Sequence, residues 1–338
     1  MAAPRRAHGR RGRRRRRRAD AARPGLRRRG RGALRLRVAT ANIASGRGPG
    51  TAAGAPEPDA PVEGATEPSL GSHLRDPDAL GAALAALVDV APDVLAVQEL
   101  DVGAARSGGV HQPAVVARVL AAAGGEVDWR FAPTVLGVPG SGGEQLPVAG
   151  RLEDPLWPED EQPRYGTALL VRRPVRRWSA LPLRAGGFPL PLPVRHPDSG
   201  RPGVLVVQDE PRVAVAAELD GVTVVAAHLS FAPPVAVRQL RAVRTWAARL
   251  PGPVLLVGDL NLPGAAPSRL LRARALVTRD TYPLPSPKRQ LDHVLALPPL
   301  GDRRGSALLP WRTGEVALDL GVGDHRALCV DLEVPTHR

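Results

Sequence analysis

The chain has 338 residues and a formal net charge of +14, which is distributed very unevenly. Residues 1–37 hold 17 arginines and one acidic residue, leaving 30 basic and 32 acidic residues for the rest of the chain. Length and charge therefore indicate one large domain with a near-neutral body behind a strongly basic segment. The single cysteine excludes an intrachain disulfide. No apolar run approaches the roughly 20 residues that span a bilayer.

The N-terminal segment, residues 1–33, is predicted to be disordered. A block of like charges with few large apolar side chains cannot offset its chain entropy. The segment has the positive start of a signal peptide, but no adequate apolar stretch follows, and we expect a cytoplasmic protein. Six consecutive arginines at 13–18 would bind polyanions by releasing counterions. The same arginines are consistent with a high-GC bacterial coding sequence, a solvated extension or a misassigned start codon.

The first half of the body alternates between periodic and irregular segments. A strand is predicted at 36–41, and amphipathic helices are predicted at 76–91 and after Pro113. A strand ending in Glu99 lies between these helices, and another is predicted at 166–171. Three stretches rich in Gly or Pro are predicted to be irregular, namely 46–72, 133–163 and 181–203.

The second half carries a clear hairpin signal. Two apolar segments at 212–219 and 222–228 flank Asp220-Gly221, which is typical of a two-residue turn. A helix is predicted at 235–249. The short apolar run after Pro253 is predicted to be a buried strand that ends in Gly258-Asp-Leu-Asn261.

Several of the predicted strands are followed or interrupted by polar side chains. Residues i and i+2 of a strand point to the same side, so Asp259 and Asn261 should emerge together. Buried charges are costly unless they are paired or bound to metal, and the sequence therefore predicts one polar site built from several strand ends. Its candidate members are Asn42, Glu99, His228, Asp259, Asn261, Asp292, Asp324 and His325.

These motifs resemble the endonuclease/exonuclease/phosphatase superfamily, which includes deoxyribonucleases, abasic-site endonucleases, sphingomyelinases and inositol-phosphate phosphatases. The resemblance covers roughly residues 35–335. It implies an α/β fold, a four-layer α/β/β/α sandwich over residues 34–338 with the active site at one end. Thr167 replaces the Asn of many relatives, which leaves the role of that strand in substrate contact open. The matching motifs are Asn42-Ile-x-x-Gly46, Gln98-Glu99, Tyr165-Gly-Thr-Ala-Leu-Leu170, His228-Leu-Ser230, Gly258-Asp-Leu-Asn261, Leu291-Asp-His293 and Gly323-Asp-His325.

The resemblance implies a Mg²⁺-dependent hydrolase of phosphodiesters or phosphomonoesters, with Mn²⁺ as an alternative ion. Glu99 suits a hard cation that takes oxygen ligands, and Asn42 would contribute to the same metal site. Asp324 would add a metal-binding or orienting carboxylate.

The remaining candidates are assigned to the reaction and the substrate. Asp259 would orient or deprotonate the attacking water, and Asn261 would hold a non-bridging phosphate oxygen. His228 would donate a hydrogen bond to the phosphate. A histidine at this position is typical of deoxyribonucleases and sphingomyelinases, whereas abasic-site endonucleases usually have Tyr here. His325 would be a second catalytic imidazole.

Asp292 would accept the other N–H of His325 and stabilise its charged form. Tyr165 and Arg212 would bind the substrate, although an exposed structural role is equally consistent with Arg212. His293 should face the opposite side of its strand and is interpreted as structural.

The substrate stays open between nucleic acid, a phospholipid headgroup and a small phosphate ester, and we expect a monomer. The near-neutral body and the scarcity of aromatic residues argue against tight duplex binding or base stacking, whereas the arginine tail favours a polyanion. The alternative hypothesis is a non-catalytic protein that binds nucleic acid or an anionic surface through that tail. Retention of Glu99, Asp259, Asp292 and His325 argues against it.

Overall fold

The computed structural model describes residues 33–49, 70–139, 152–154, 162–187, 190–195, 202–207, 209–299 and 309–335. The predicted tail lies outside these ranges except for Ala33, as do the middle parts of the first two predicted irregular stretches.

Within the described ranges the chain forms strands separated by short helices. The strands are β1 Ala33–Asn42, β2 Arg47–Pro49, β3 Leu70–His73, β4 Val94–Val102, β5 Asp128–Leu136, β6 Arg164–Val171, β7 Arg177–Leu183, β8 Leu190–Arg195, β9 Pro202–Val207, β10 Arg212–Leu219, β11 Val222–Ala227, β12 Val254–Asp259, β13 Arg274–Ala275, β14 Asp292–Leu297, β15 Trp311–Leu318 and β16 Ala327–Pro335. The α-helices are α1 Pro77–Ala83, α2 Ala86–Val90, α3 Gln112–Ala122, α4 Pro233–Ala247 and α5 Ala266–Leu271. Short 3-10 helices occupy Ala44–Gly46 and Ala105–Ser107.

Two six-stranded mixed sheets organise the fold. The first has the order β15-β16-β1-β4-β6-β5, and the second has the order β13-β14-β12-β11-β10-β7. In the first sheet β1 pairs parallel with β4 and antiparallel with β16. In the second sheet β11 pairs parallel with β12, which pairs antiparallel with β14. Asn42 ends β1, Asp259 ends β12 and His228 directly follows β11, whereas Glu99 lies within β4, which continues to Val102.

The sheets stack face to face because their strands alternate in which side they bury. In β1, Leu36 and Val38 join the core between the two sheets, whereas Ala39 and Ala41 face the other side of the sheet. Helices α1 to α3 cover that outer face of the first sheet, and α4 and α5 cover the outer face of the second. The predicted four-layer α/β/β/α sandwich is confirmed.

Helix boundaries follow local capping chemistry. Asp76 caps α1 by accepting from the backbone N–H groups of Asp78 and Ala79, and Pro77 occupies the first turn. The single helix predicted at 76–91 is divided at residues 84–85 into α1 and α2.

The predicted hairpin is confirmed, with Leu219 opposite Val222 across the turn. No helix in the described ranges has the length and apolar character that crossing a bilayer requires.

The prediction that residues 181–203 are irregular was wrong. The stretch contains the end of β7, all of β8 and the start of β9, and β8 pairs antiparallel with β9 from Leu190–Val207 to Arg195–Pro202. Proline lacks an N–H donor, but a two-stranded ribbon or an edge strand such as β7 has a side that needs none. Likewise, β5 extends to Leu136 into the second predicted irregular stretch, and β2 pairs with β3 in the first.

Candidate active site

The ends of the central strands of both sheets meet at Asn42. Its Nδ2 donates to Glu99 Oε1 at 2.9 Å and to Asp259 Oδ2 at 3.1 Å, while its Oδ1 accepts from the backbone N–H of Ala44 at 3.0 Å. These contacts define the orientation of the amide. One nitrogen atom therefore holds two carboxylates that come from different sheets.

The backbone at this end is held in unusual conformations. Glu99 has a φ of 58° and lies where the β4–β6 pairing shifts register between Val97 and Leu100. Such a bulge re-aims side chains. Asn261 has a φ of 50°. Left-handed conformations are uncommon outside glycine and concentrate at functional sites, and they orient both predicted site residues here.

Gly258 permits a close approach of β11 and β12. Its φ is 135°, and a Cβ at this position would lie 1.9 Å from the carbonyl oxygen of Ala227. No larger residue fits without moving the backbone. His228 follows β11 directly and Asp259 ends β12, so this contact places the two side chains at one end of the second sheet.

Asp292 and His325 form a buried hydrogen-bonded pair, with His325 Nδ1 2.7 Å from Asp292 Oδ2. Burial alone would lower the pKa of His325, but the charge of Asp292 and the hydrogen bond to it, with contributions from Asp259 and Asp324, raise it to about 10. The ring is therefore an imidazolium near neutral pH. Its Nε2 lies 3.9 Å from both Asp259 Oδ2 and Asp324 Oδ1.

His228 is in the opposite state. Burial lowers its pKa well below the usual value, and the positive charges of Arg212 and His325 lower it further. Its Nδ1 lies 3.0 Å from Arg212 Nη1. Its Nε2 lies 3.8 Å from Asp259 Oδ2 and 3.9 Å from Glu99 Oε1. The site thus contains one neutral and one charged histidine.

Asp259 titrates near neutrality. Burial raises its pKa to about 7, although the positive charge of His325 and the hydrogen bonds from Asn261 and Asn42 oppose that rise. A carboxylate with a pKa near the working pH is well matched to accepting a proton during a reaction.

The predicted phosphate and substrate residues lie around this centre. The Asn261 backbone N–H donates to Asp259 Oδ1, and its Nδ2 donates to the carbonyl of Leu229 at 2.8 Å. Tyr165 is buried, and the guanidinium of Arg106 lies 5.8 Å from its ring centroid. The exposed role considered for Arg212 was wrong, because this residue is only 5% exposed. His293 contacts the carbonyl of Leu262 through Nε2 at 2.9 Å, in agreement with a structural role.

The carboxylates of the site form a set of ligands that suits a divalent cation. Glu99, Asp259, Asp292 and Asp324 supply more negative charge than His325 and Arg212 balance, and Asp292 Oδ1 is buried without a hydrogen-bond donor among the described residues. Ligand atoms of Asp259, Asp292 and His325 lie within 4.8 Å of one another and could also hold an ion. We favour Glu99, because His325 is protonated and already bonded to Asp292, whereas Mg²⁺ needs only one or two carboxylates and keeps its waters. Asn42 would join Glu99 as a ligand only with its amide turned over, since its Nδ2, which cannot bind a cation, faces Glu99 and its Oδ1 faces Ala44.

Two further residues shape the site and were not anticipated. The ring of Tyr282 lies 4.8 Å from that of His325 at an angle of 47°. Thr281 Oγ1 accepts from the backbone N–H groups of Leu291 and Asp292. Both residues belong to an irregular segment without a periodic pattern, so the sequence did not indicate a role for them. The one feature that could have drawn attention to Tyr282 is that the chain has only two tyrosines.

The chain is similar to several solved structures. A structure of an endonuclease/exonuclease/phosphatase from Beutenbergia cavernae DSM 12333 is 21% identical, with a TM-score of 0.52 over 89% of this chain and 72% of that one. A family protein from Leptotrichia buccalis C-1013-b is 10% identical, with a TM-score of 0.47 over 88% and 99%. D. rerio TDP2, solved in complex with a single-strand DNA product, is 14% identical, with a TM-score of 0.44 over 88% and 98%.

A comparison with curated proteins gave no match. The model of the Endonuclease/Exonuclease/phosphatase family matches residues 39–313, which is well over half of the sequence. This range includes Asn42, Glu99, His228, Asp259 and Asp292. The chain belongs to the Endonuclease/Exonuclease/phosphatase family.

Proposed function

We propose that this protein is a Mg²⁺-dependent phosphodiesterase. Family membership supports the coarser description, a hydrolase that acts on phosphate esters with a divalent metal. The observation that carries the finer proposal is the convergence at Asn42, which joins Glu99 and Asp259 beside the Asp292–His325 pair. A site with a hard-cation ligand, a proton acceptor and a charged imidazole contains the groups that phosphodiester hydrolysis needs.

In the proposed reaction, water attacks phosphorus and the bond to the leaving oxygen breaks. Asp259 takes the proton from the water, because its pKa of about 7 leaves it partly ionised and a competent acceptor near neutrality. His325 gives its Nε2 proton to the leaving oxygen, and Asp292 stabilises the imidazolium before transfer. The products are a phosphomonoester and an alcohol.

The other residues bind and orient the phosphate. His228 directs its Nε2 toward Asp259 and Glu99. Asn261, whose Nδ2 donates to the carbonyl of Leu229, would bind a non-bridging phosphate oxygen. Glu99 would hold the metal, Asn42 would add its Oδ1 only with the amide turned over from its present hydrogen bonds, and Asp324 would supply a further carboxylate. When bound, Mg²⁺ supplies charge neutralisation on the phosphate.

The class of diester is best decided by direct assay. Purified protein with Mg²⁺ would be tested on bis-p-nitrophenyl phosphate, plasmid DNA, RNA, sphingomyelin and phosphatidylinositol. We expect hydrolysis of at least the small diester and its loss in EDTA. Absence of metal-dependent hydrolysis of every substrate in a folded sample would contradict the proposal.

The basic segment supports a second, separable property. Residues 1–37 carry 17 arginines, whereas the rest of the chain is near neutral, so contact with a polyanion would reside in this segment. We propose that the body acts as a monomeric hydrolase and that the arginines hold the protein near an anionic substrate or surface.

A further inference from the structure

Arg212 is a buried cation directly behind one of the two site histidines. It begins β10, which pairs with β11 so that Ala214 lies opposite Ala227, and His228 follows β11. The two-residue turn of this hairpin therefore brings Arg212 beside His228. Arg212 Nη1 lies 3.0 Å from His228 Nδ1, and both side chains are about 5% exposed.

The chemistry of the guanidinium determines which atom donates and which accepts in the hydrogen bond between Arg212 and His228. Arginine has five N–H donors, has no acceptor and keeps its proton in proteins. In a contact with Arg212, His228 Nδ1 must therefore be the nitrogen with the lone pair. The ring proton of a neutral imidazole then resides on Nε2, whichever way hydrogens are assigned elsewhere in the site.

The protonated nitrogen faces the reaction centre. His228 Nε2 lies between Asp259 Oδ2 and Glu99 Oε1, at 3.8 and 3.9 Å. Adding a proton to Nδ1 would set two N–H groups against each other and bury a second positive charge beside Arg212. His325 has the reverse environment, since its Nδ1 faces the carboxylate of Asp292.

We propose that Arg212 is a positioning residue that holds His228 as the neutral tautomer with its proton on Nε2, so that His228 gives the phosphate a hydrogen bond and not a proton. His325 is then the proton donor of the pair. The phosphate contact rests on the proposed function, whereas the tautomer is a property of the protein itself.

An ion pair with Glu210 is less well supported as the role of Arg212. Its Nη2 lies 3.5 Å from Glu210 Oε2, which is longer than a good hydrogen bond. Its Nε is buried without an acceptor among the described residues. A residue retained only to balance Glu210 would depend on that carboxylate, so a Glu210 variant separates the two roles.

The test uses the full chain with ¹⁵N-labelled histidine and long-range ¹H–¹⁵N spectra near neutral pH, with and without Mg²⁺. The His228 signals are assigned from their loss in His228→Gln. We expect an unprotonated, hydrogen-bonded Nδ1 and a protonated Nε2 in the unmodified protein and in Glu210→Gln. In Arg212→Met the Nδ1 signal should move toward that of an imidazole nitrogen without a donor, and Arg212→Lys should keep part of the original shift.

Turnover provides the second readout. Arg212→Met should lower kcat on a small diester by on the order of tenfold, the scale seen when an orienting residue behind a working group is lost, with little change in KM. Arg212→Lys should recover part of that loss, and Glu210→Gln should stay close to the unmodified protein. A protonated Nδ1 in the unmodified protein, or an unchanged His228 spectrum in Arg212→Met, would overturn the proposal.

The spectrum of the unmodified protein tests the tautomer even if Arg212→Met does not fold. A raised KM with an unchanged His228 spectrum would instead make Arg212 a direct substrate ligand and overturn the positioning role. If the predicted spectra are found in a protein that hydrolyses no diester, the proposed function fails while the Arg212–His228 relationship stands.

Discussion

Asn42 Nδ2 lies 3.1 Å from Asp259 Oδ2, so an amide at the end of one sheet hydrogen-bonds a carboxylate at the end of the other. The same nitrogen contacts Glu99. The relative position of Glu99 and Asp259, the proposed metal ligand and proton acceptor, therefore depends on how the two sheets pack, and not on any single loop. Changes in the strands beneath the site should reach the chemistry through this amide.

Gly258→Ala tests that dependence. A Cβ at this position would lie 1.9 Å from the carbonyl of Ala227, and the φ of 135° is one that only glycine adopts readily. We expect unfolding free energy to fall by roughly 2–5 kcal/mol, the range for overpacking combined with backbone strain, and turnover to fall as well. Urea denaturation would measure the loss. Gly187→Ala, where a Cβ meets nothing within 4 Å, is the matched control, and equal stability of the two variants would refute the close-approach role.

Asp292 and His325 should behave as one unit. We expect Asp292→Asn and His325→Gln each to lower kcat by on the order of a hundredfold, the scale of losing a general acid. The double variant should be hardly worse than His325→Gln alone, because effects within a unit are not additive. Simple additivity in the four-protein cycle would mean that the 2.7 Å contact has no part in turnover.

His73 should contribute to the loss of stability in acid. Burial, together with the positive charges of Arg106, Arg47 and Arg75 and against the charge of Asp101, lowers its pKa from an ordinary 6.5 to about 4. Its folded pKa is below its unfolded one, so the neutral ring's contribution is present above pH 6.5 and is lost as pH falls toward 4. Unfolding free energies across this window should fall less steeply for His73→Gln. Identical slopes for the two proteins would show that this ring does not titrate as proposed.

Removing residues 1–31 should separate polyanion binding from hydrolysis. The deletion leaves β1 and every candidate site residue in place, so turnover of a small soluble diester should stay within about twofold. Binding to DNA or anionic vesicles should weaken and lose salt dependence, since each neutralised phosphate contributes roughly 0.9 to the log–log slope on duplex DNA. Loss of small-diester turnover in a folded truncated protein would place the segment in the active site. Unchanged polyanion affinity would show that the arginines do not bind.

The sequence allowed several strands and the polar residues at or near their ends to be predicted because both signals are local. The short apolar run before Gly258 and the Asp220-Gly221 turn each determine structure within a few residues. Tyr282 could not be predicted in the same way, because its position against His325 depends on an irregular segment without periodicity. The β8–β9 ribbon was missed because its prolines indicate a loop unless the pairing strand is known.

The arrangement of the site could be predicted only in part from the sequence. A two-residue turn pairs Leu219 with Val222, and counting outward from it brings Arg212 near His228, although the burial and direction of the guanidinium required the packed structure. The Asn42–Asp259 contact joins residues 217 positions apart on different sheets. No local pattern specifies such a distance, since it depends on the packing of the core between the sheets.

The most direct test of metal-dependent hydrolysis is the Mg²⁺ dependence of bis-p-nitrophenyl phosphate turnover in Glu99→Gln. Glu126→Gln, on an exposed residue away from the site, serves as the control, and calorimetric Mg²⁺ titration of all three proteins reports binding without turnover. We predict saturable activation by Mg²⁺ in the unmodified and control proteins, and a loss of on the order of a hundredfold or more in Glu99→Gln together with weaker Mg²⁺ binding. Turnover that persists in EDTA, or that Glu99→Gln retains at every Mg²⁺ concentration, would contradict the assignment.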